Sequence, residues 1–214
     1  MAQAAIDTRM LIVEAARRRL LADGYAGLST RKVAEEAGVP LSQLHYYFGS
    51  KGGLILALFQ EENQRRLERQ TRMYADDAPL WQRYERACDF LEDDLDSGYV
   101  RVLQEMIAAG WSNPVIGSAV RDLLGAWYGL LAQVVREAER RHGPLGPFTA
   151  EEVATLVGNA FIGSEALLLL GLERQVLPIR SALRRIGVLI RELEEGPGHG
   201  AAATSVTGSA PGSG

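Results

Sequence analysis

The sequence predicts an all-α protein: an N-terminal three-helix helix-turn-helix domain, then a larger helical C-terminal domain, with about nine helices in total. Three observations carry the fold. No stretch shows the sustained period-two alternation of a half-buried strand. Apolar residues recur instead at steps of three and four through most of the chain. Helix-starting and helix-ending residues punctuate that periodicity at short intervals.

The first helix is expected to start near Thr8, with Ile12, Ala16 and Leu20 on one stripe and Gly24 as its stop. Ser29 reads as the N-cap of a short helix over 30–37, ended by Gly38. Val39-Pro40 leads into a third helix over 41–47, and a long fourth runs over 51–73. Pro79 suits the first turn of a fifth helix, and Ser97-Gly98 separates it from a sixth. Asn113-Pro114 opens a long helix reaching about His142. Thr149 and Glu152 have the spacing of a capping box, and Pro178 opens a last helix that Gly196-Pro197 stops. Residues 197–214 are Gly, Ala, Ser and Thr with little to bury, and are expected to be disordered. The expected division is 1–52, 53–196 and the tail 197–214.

The 214 residues carry a net charge of −4, but unevenly. Residues 1–52 hold seven Arg and Lys against five Asp and Glu, so the remainder stands at −6. Local positive charge, not a basic whole protein, is what phosphate binding requires. A single cysteine, Cys88, excludes an intrachain disulfide framework and reads as a core thiol. No uninterrupted apolar run approaches a membrane span, and the first residues lack a signal sequence, so a cytoplasmic location without membrane contact is expected. No metal-binding, phosphate-loop or nucleophile motif is present; Asp93, Asp94 and Asp96 read as a solvated face. No enzyme activity, metal or cofactor is expected.

A unit of three short helices with glycine in the second turn is the helix-turn-helix pattern. Val33, Ala34 and Ala37 are small where the second helix must approach the third, and Val39 and Leu44 fill the core between them. The outer face of the third helix carries Ser42, Gln43, His45, Tyr46 and Tyr47, hydrogen-bonding groups without carboxylates, as a helix in the major groove requires. Gln43 is the candidate for reading a base directly. Double-stranded DNA is therefore the expected partner; a helical adaptor that binds protein through the same three helices is the alternative.

The run Ser29-Thr30-Arg31-Lys32-Val33-Ala34-Glu35-Glu36-Ala37-Gly38-Val39, with Gly24-Tyr25 before it and Leu44-His45-Tyr46-Tyr47-Phe48-Gly49-Ser50-Lys51 after it, resembles the TetR family of transcriptional regulators over about residues 8–60. The resemblance implies a homodimeric repressor whose third helix reads a palindromic operator and whose C-terminal domain binds a small-molecule effector. It adds Ser29, Thr30, Arg31, Lys32, Leu41 and Lys51 to the DNA-contacting set, Lys51 through a phosphate. The sequence departs from the family at His45, where tyrosine is usual, and at Pro40, where a capping Ser or Thr is common.

In the last helix Ile179, Leu183, Ile186, Ile190 and Leu193 form a stripe at steps of four and three, suited to helix pairing. The resemblance implies that the last two helices pair with their copies; packing within one chain is the alternative. For the effector, expected to be small and largely apolar, the bulky residues of the central helices are the candidates: Trp81, Tyr84, Met106, Trp111, Trp127, Tyr128 and Phe161, with Gln104 and Asn159 as polar groups. Gly52-Gly53 is expected to act as a hinge between the two regions.

Overall fold

The computed structural model describes residues 2–174 and 176–196, with no side-chain placement for 2–5 and 174. The tail expected to be disordered lies outside the described residues. Among those, nine α-helices and one 3-10 turn occur and no strand. They are α1 Ala2–Gly27, α2 Thr30–Ala37, α3 Leu41–Phe48, α4 Lys51–Tyr74, α5 Leu80–Asp96, α6 Tyr99–Gly110, α7 Pro114–His142, α8 Ala150–Leu169 and α9 Ile179–Glu195.

Local chemistry sets most of these boundaries. Ser29 accepts a hydrogen bond from the Lys32 backbone N–H, and Gly38, at φ 67°, returns its own N–H to the last carbonyls of α2. Asn113 caps α7 on the N–H groups of Val115 and Ile116, and Thr149 with Glu152 closes a reciprocal box at α8. Pro79 offers no side-chain cap to α5. The Glu194 carboxylate of α9 supplies it instead, accepting from Leu80 N at 2.8 Å and Trp81 N at 2.9 Å. The first helix starts six residues before the expected Thr8, since alanines there favour helix, and it breaks at Gly24 (φ 69°) before a final turn.

Two cores form. The first gathers Ile12, Leu20, Val33 and Leu44 from α1–α3 with Met106 and Ile116 from α6 and α7. The second holds Tyr84, Cys88, Leu91, Leu131, Phe161 and Leu183 from α5 and α7–α9. Helix α4 belongs to both: Leu54, Ile55, Leu58 and Phe59 lie in the first, Met73 and Tyr74 in the second. Burying each large apolar side chain contributes roughly 1.5–3 kcal/mol, so neither core closes without α4. Cys88 is buried, and desolvation pushes its thiol up to about 11, which keeps it protonated and unreactive.

Two features bear on the sequence expectations. Helix α8 is long and apolar enough to cross a membrane by length and composition. Glycines, Asn159 and Glu165 interrupt its apolar run without lowering its mean hydropathy much, so a search for unbroken runs passes over it. Here it packs against α7 and α9 and buries Ala154, Gly158 and Phe161. The α9 stripe is largely used within the chain: Ile179 and Leu183 are buried, Ile186 and Ile190 pack on the second core, and only Leu193 is exposed.

The turn between α5 and α6 joins the halves. Gly98 stands at φ 77°, and a Cβ there would lie 2.5 Å from Leu21 Cδ2 of α1. Beside it, the Arg17 guanidinium donates to the Ser97 carbonyl at 2.7 Å, and Arg66 of α4 donates to the Ser97 hydroxyl at 3.3 Å. Gly98→Val is therefore expected to destabilise the protein by roughly 1–3 kcal/mol through backbone strain and the clash, lowering the urea midpoint. Gly125→Ala, where an added methyl meets nothing, should leave it unchanged or raise it slightly. Equal midpoints for the two variants would contradict the account of this turn.

Candidate nucleic-acid interface and ligand cavities

Helix α3 is anchored from below and bare above. Leu44 is fully buried, Leu41, Tyr47 and Phe48 pack on the first core, and Gln43 is half-buried. Ser42, His45 and Tyr46 are exposed, Tyr46 at 83 %. Their spacing puts them on one outward face. His45 is turned to its own helix end, its Nδ1 2.9 Å from the Gly49 carbonyl. Ser29 and Thr30 sit half-buried at the start of α2, and Arg31 and Lys32 follow as exposed cations.

The basic excess of residues 1–52 is mostly consumed inside the fold. Arg17 pairs with Glu14 and Glu62, Arg18 with Glu14 and Glu36, and Arg19 with Asp23 and Glu36. Arg9 reaches Glu61 at 3.8 Å, and Lys32 reaches Asp23 at 3.2 Å. Arg31 alone of the seven has no ion pair or hydrogen bond among the described residues. Lys51, expected at a phosphate, points inward: its ammonium donates to the Tyr25 carbonyl at 2.5 Å and lies 4.6 Å from the Tyr25 ring. Burial holds its pKa below the usual lysine value. It ties the start of α4 to the end of α1.

The expected Gly52-Gly53 hinge is a close-packed corner. A Cβ on Gly53 would lie 2.1 Å from the Phe48 carbonyl oxygen, and the Ser50 hydroxyl accepts the Gly53 N–H at 3.2 Å. Glycine is needed here because the end of α3 presses on the start of α4. From the other side, Glu105 of α6 accepts the Tyr25 N–H at 3.2 Å, just past the α1 kink.

A cavity of about 230 Å³ lies among α5, α7, α8 and α9. Tyr84, Leu131, Val135, Val157 and Ile190 line it, with His142 and Glu194 among its few polar neighbours. Of the expected ligand residues only Tyr84 lines it. A second, about 70 Å³, lies beneath α4 with a mixed lining: Asn63, Arg66, Asp94 and Glu165 among its polar groups, Trp127, Leu124 and Ile162 among its apolar ones. Trp127 is the expected residue found there, its ring nitrogen donating to Gln70 at 2.7 Å. Phe161 stands between the two, edge-on to both Tyr84 and Trp127.

The remaining expected ligand residues are dispersed. Trp111 is 84 % exposed at the α6–α7 corner. Met106 is plain core. Trp81 packs under Arg191, and Tyr128 bonds Asn159 on the outer surface at 2.7 Å. Gln104 is not a free ligand donor, since it reaches Glu165 at 3.1 Å and the Ile162 carbonyl at 3.3 Å.

Two carboxylates escaped the sequence reading. Asp94, read as solvated, is paired with Arg66 at 3.0 Å and Arg69 at 2.8 Å; burial nonetheless raises its pKa against the pull of both cations. Glu165 is 9 % exposed and has no cation within ion-pair distance. Desolvation pushes its carboxyl up to about 8. The available signal was its isolation: it is the one charged residue between Glu152 and Glu173.

Comparisons place this geometry among known proteins. Residues 12–58 match the family model described as bacterial regulatory proteins, tetR family. No curated protein sequence matches the chain. Many solved structures share the fold. A TetR transcription regulator from Haloarcula marismortui aligns with TM-score 0.72 at 19 % identity, over 86 % of this chain and 96 % of that one. A candidate transcriptional regulator from Saccharomonospora viridis, in complex with choline, aligns with TM-score 0.71 at 23 % identity, over 90 % and 97 %. The regulator FadR from Bacillus subtilis, in complex with stearoyl-CoA, aligns with TM-score 0.65 at 15 % identity, over 85 % and 96 %.

Glu165 gives a testable pH dependence. Its carboxyl sits near 4.5 when unfolded and about 8 when folded, so between these values the folded state binds more protons than the unfolded. Stability should therefore fall as pH rises through that window, by up to about 1.4 kcal/mol per pH unit. Glu165→Gln should remove this part of the slope in urea unfolding measured from pH 5 to 8. A slope unchanged by the substitution would show that the carboxyl titrates normally.

Proposed function

We propose that this chain, which carries the N-terminal domain of the tetR family of bacterial regulatory proteins, is a cytoplasmic transcriptional repressor. It binds a palindromic operator as a homodimer and releases it when a small, largely apolar effector occupies the C-terminal domain. The observation that carries the reading is α3: anchored through a fully buried Leu44, it exposes Ser42, His45 and Tyr46, while Arg31 of α2 is exposed as well. Gln43 at its edge is the base-reading candidate, and Arg31 takes the phosphate role first given to Lys51. The proposed division is DNA binding in 1–52 and effector binding and dimerisation in 53–196.

Exposed apolar residues on the last two helices support a dimer. Leu156 lies on α8, Leu170 caps its end, and Leu189 and Leu193 lie on α9; each is more than half exposed. They are better interface probes than Leu183 and Ile190 of the α9 stripe, which are engaged in the chain's own core. Two recognition helices held by one interface convert a weak single contact into a tight double one.

The apolar cavity of about 230 Å³ suits an effector with hydrocarbon character, and the neighbours that hold stearoyl-CoA and choline illustrate ligand binding in this fold. Coupling runs through α4, whose Asn63, Arg66 and Gln70 touch effector-domain side chains while its first turns pack on the DNA-binding core. A ligand that displaces α4 changes the separation of the recognition helices. Typical couplings of about 1–3 kcal/mol correspond to roughly 5–150-fold in operator affinity.

The test is selection from random DNA with the full chain. The expected motif is a palindrome or near-palindrome, with half-site centres about 34–36 Å apart or a related spacing. Arg31→Ala should weaken binding to all sequences and reduce the salt slope by about one. Gln43→Ala should relax preference at one position, costing about 1–3 kcal/mol there. Leu156→Glu with Leu189→Glu should yield folded monomers by light scattering. Failure to enrich any motif would overturn the repressor reading in favour of a protein-binding adaptor.

A further inference from the structure

The cavity beneath α4 holds one carboxyl, that of Glu165, to which the protein supplies no cation. Each titratable or charged group facing Glu165 has a partner elsewhere. From α4, Arg66 is taken by Glu62 and Asp94. From α5, Asp94 is held by Arg66 and Arg69. From α6, the Tyr99 hydroxyl donates to Asn63, and its ring is covered by the Arg66 guanidinium at 3.7 Å. From α7, the Tyr128 hydroxyl goes to Asn159. Glu165 receives only the Gln104 amide, so the lining is neutral while Glu165 holds its proton and gains one uncompensated negative charge when it ionises.

A carboxylate in such a place is unfavourable unless a cation joins it. A structural role would be served as well by glutamine, which makes the same hydrogen bond without the charge. The rest of the lining narrows the choice of cation. Leu103, Leu124 and Ile162 offer nothing to a hydrated inorganic ion, and no group of three metal-ligating side chains occurs among the described residues. Trp127, fixed by its bond to Gln70, supplies an aromatic ring of the kind that attracts ammonium groups. The cavity, about 70 Å³, exceeds the room a single water needs.

We infer that the cavity beneath α4 binds an organic ammonium group, with the Glu165 carboxylate as counter-ion and Trp127 as part of its wall. This rests on the C-terminal domain being effector-binding, and it names the chemistry of one part of the effector. Without ligand Glu165 holds a proton; the cation binds the ionised form, so the proton leaves to solvent as the ligand enters. Ammonium affinity must then rise with pH and level off near 8. Because Asn63, Arg66 and Trp127 connect this cavity to α4, occupancy acts on the helix that carries the coupling.

The experiment titrates the full chain with tetramethylammonium and with propylammonium chloride by calorimetry at pH 6, 7 and 8, with sodium chloride and the neutral tert-butanol as controls. At least one ammonium salt is expected to bind more tightly than both controls. Its dissociation constant should fall about tenfold from pH 6 to 7 and further to pH 8. Glu165→Gln, checked by circular dichroism for an unchanged fold, should weaken that binding at least tenfold and abolish its pH dependence. No ammonium binding beyond the controls, pH-independent affinity in the natural sequence, or equal binding by the glutamine variant would each overturn the inference. None of these results bears on operator selection, so failure here is distinguishable from failure of the repressor reading.

Discussion

Helix α4 has to belong to two cores at once, and the rest of the molecule depends on how it does so. Its first two turns are apolar on the side facing α1–α3, and its last turn is apolar on the side facing α5. Between them, Asn63, Arg66, Arg69 and Gln70 meet Tyr99, Asp94 and Trp127 from three other helices. A purely apolar middle would stabilise the same packing in many rotational settings. Hydrogen bonds and ion pairs hold it in one, because a buried polar group that loses its partner costs about 1–3 kcal/mol. That definiteness is what the proposed coupling between the region under α4 and α3 requires.

The same seam explains where charge is tolerated inside the protein. Asp94 is buried between two arginines, which offset part of its desolvation. Glu165 has no such pair and retains a proton to about pH 8. The N-terminal domain spends its arginines in a similar way: Arg17, Arg18 and Arg19 bind the helices to one another, and Arg31 is left to face outward. Counting basic residues thus overstated the charge available to a phosphate, although the sign of the asymmetry was right.

What the sequence disclosed follows the range of the forces involved. Ser29, Gly38, Asn113 and the Thr149–Glu152 box act within a turn of their own helix, so their spacing is enough to locate helix ends. The helix-turn-helix was legible because its three helices are adjacent in sequence and small residues mark the crossing. The cavities were not, since each is assembled from helices far apart in the chain. Trp111 looks like a pocket wall by type and lies on the surface. Lys51 matches a phosphate-binding position and turns to Tyr25, because the end of α1 happens to present free carbonyls there. The α9 stripe was visible as a stripe, but whether it meets its own chain or a copy depends on α5.

Residue-resolved amide hydrogen exchange within α4 tests the central claim most directly. If the polar middle makes α4 one rigid member of both cores, the amides of Ile55 and Leu58 and those of Leu67 and Met73 will open with the same free energy, equal to that of global unfolding. Arg66→Met should split them into two groups. Separate opening free energies for the two ends in the unmodified protein would contradict the account, since the N-terminal core would then be moving independently of the domain proposed to control it.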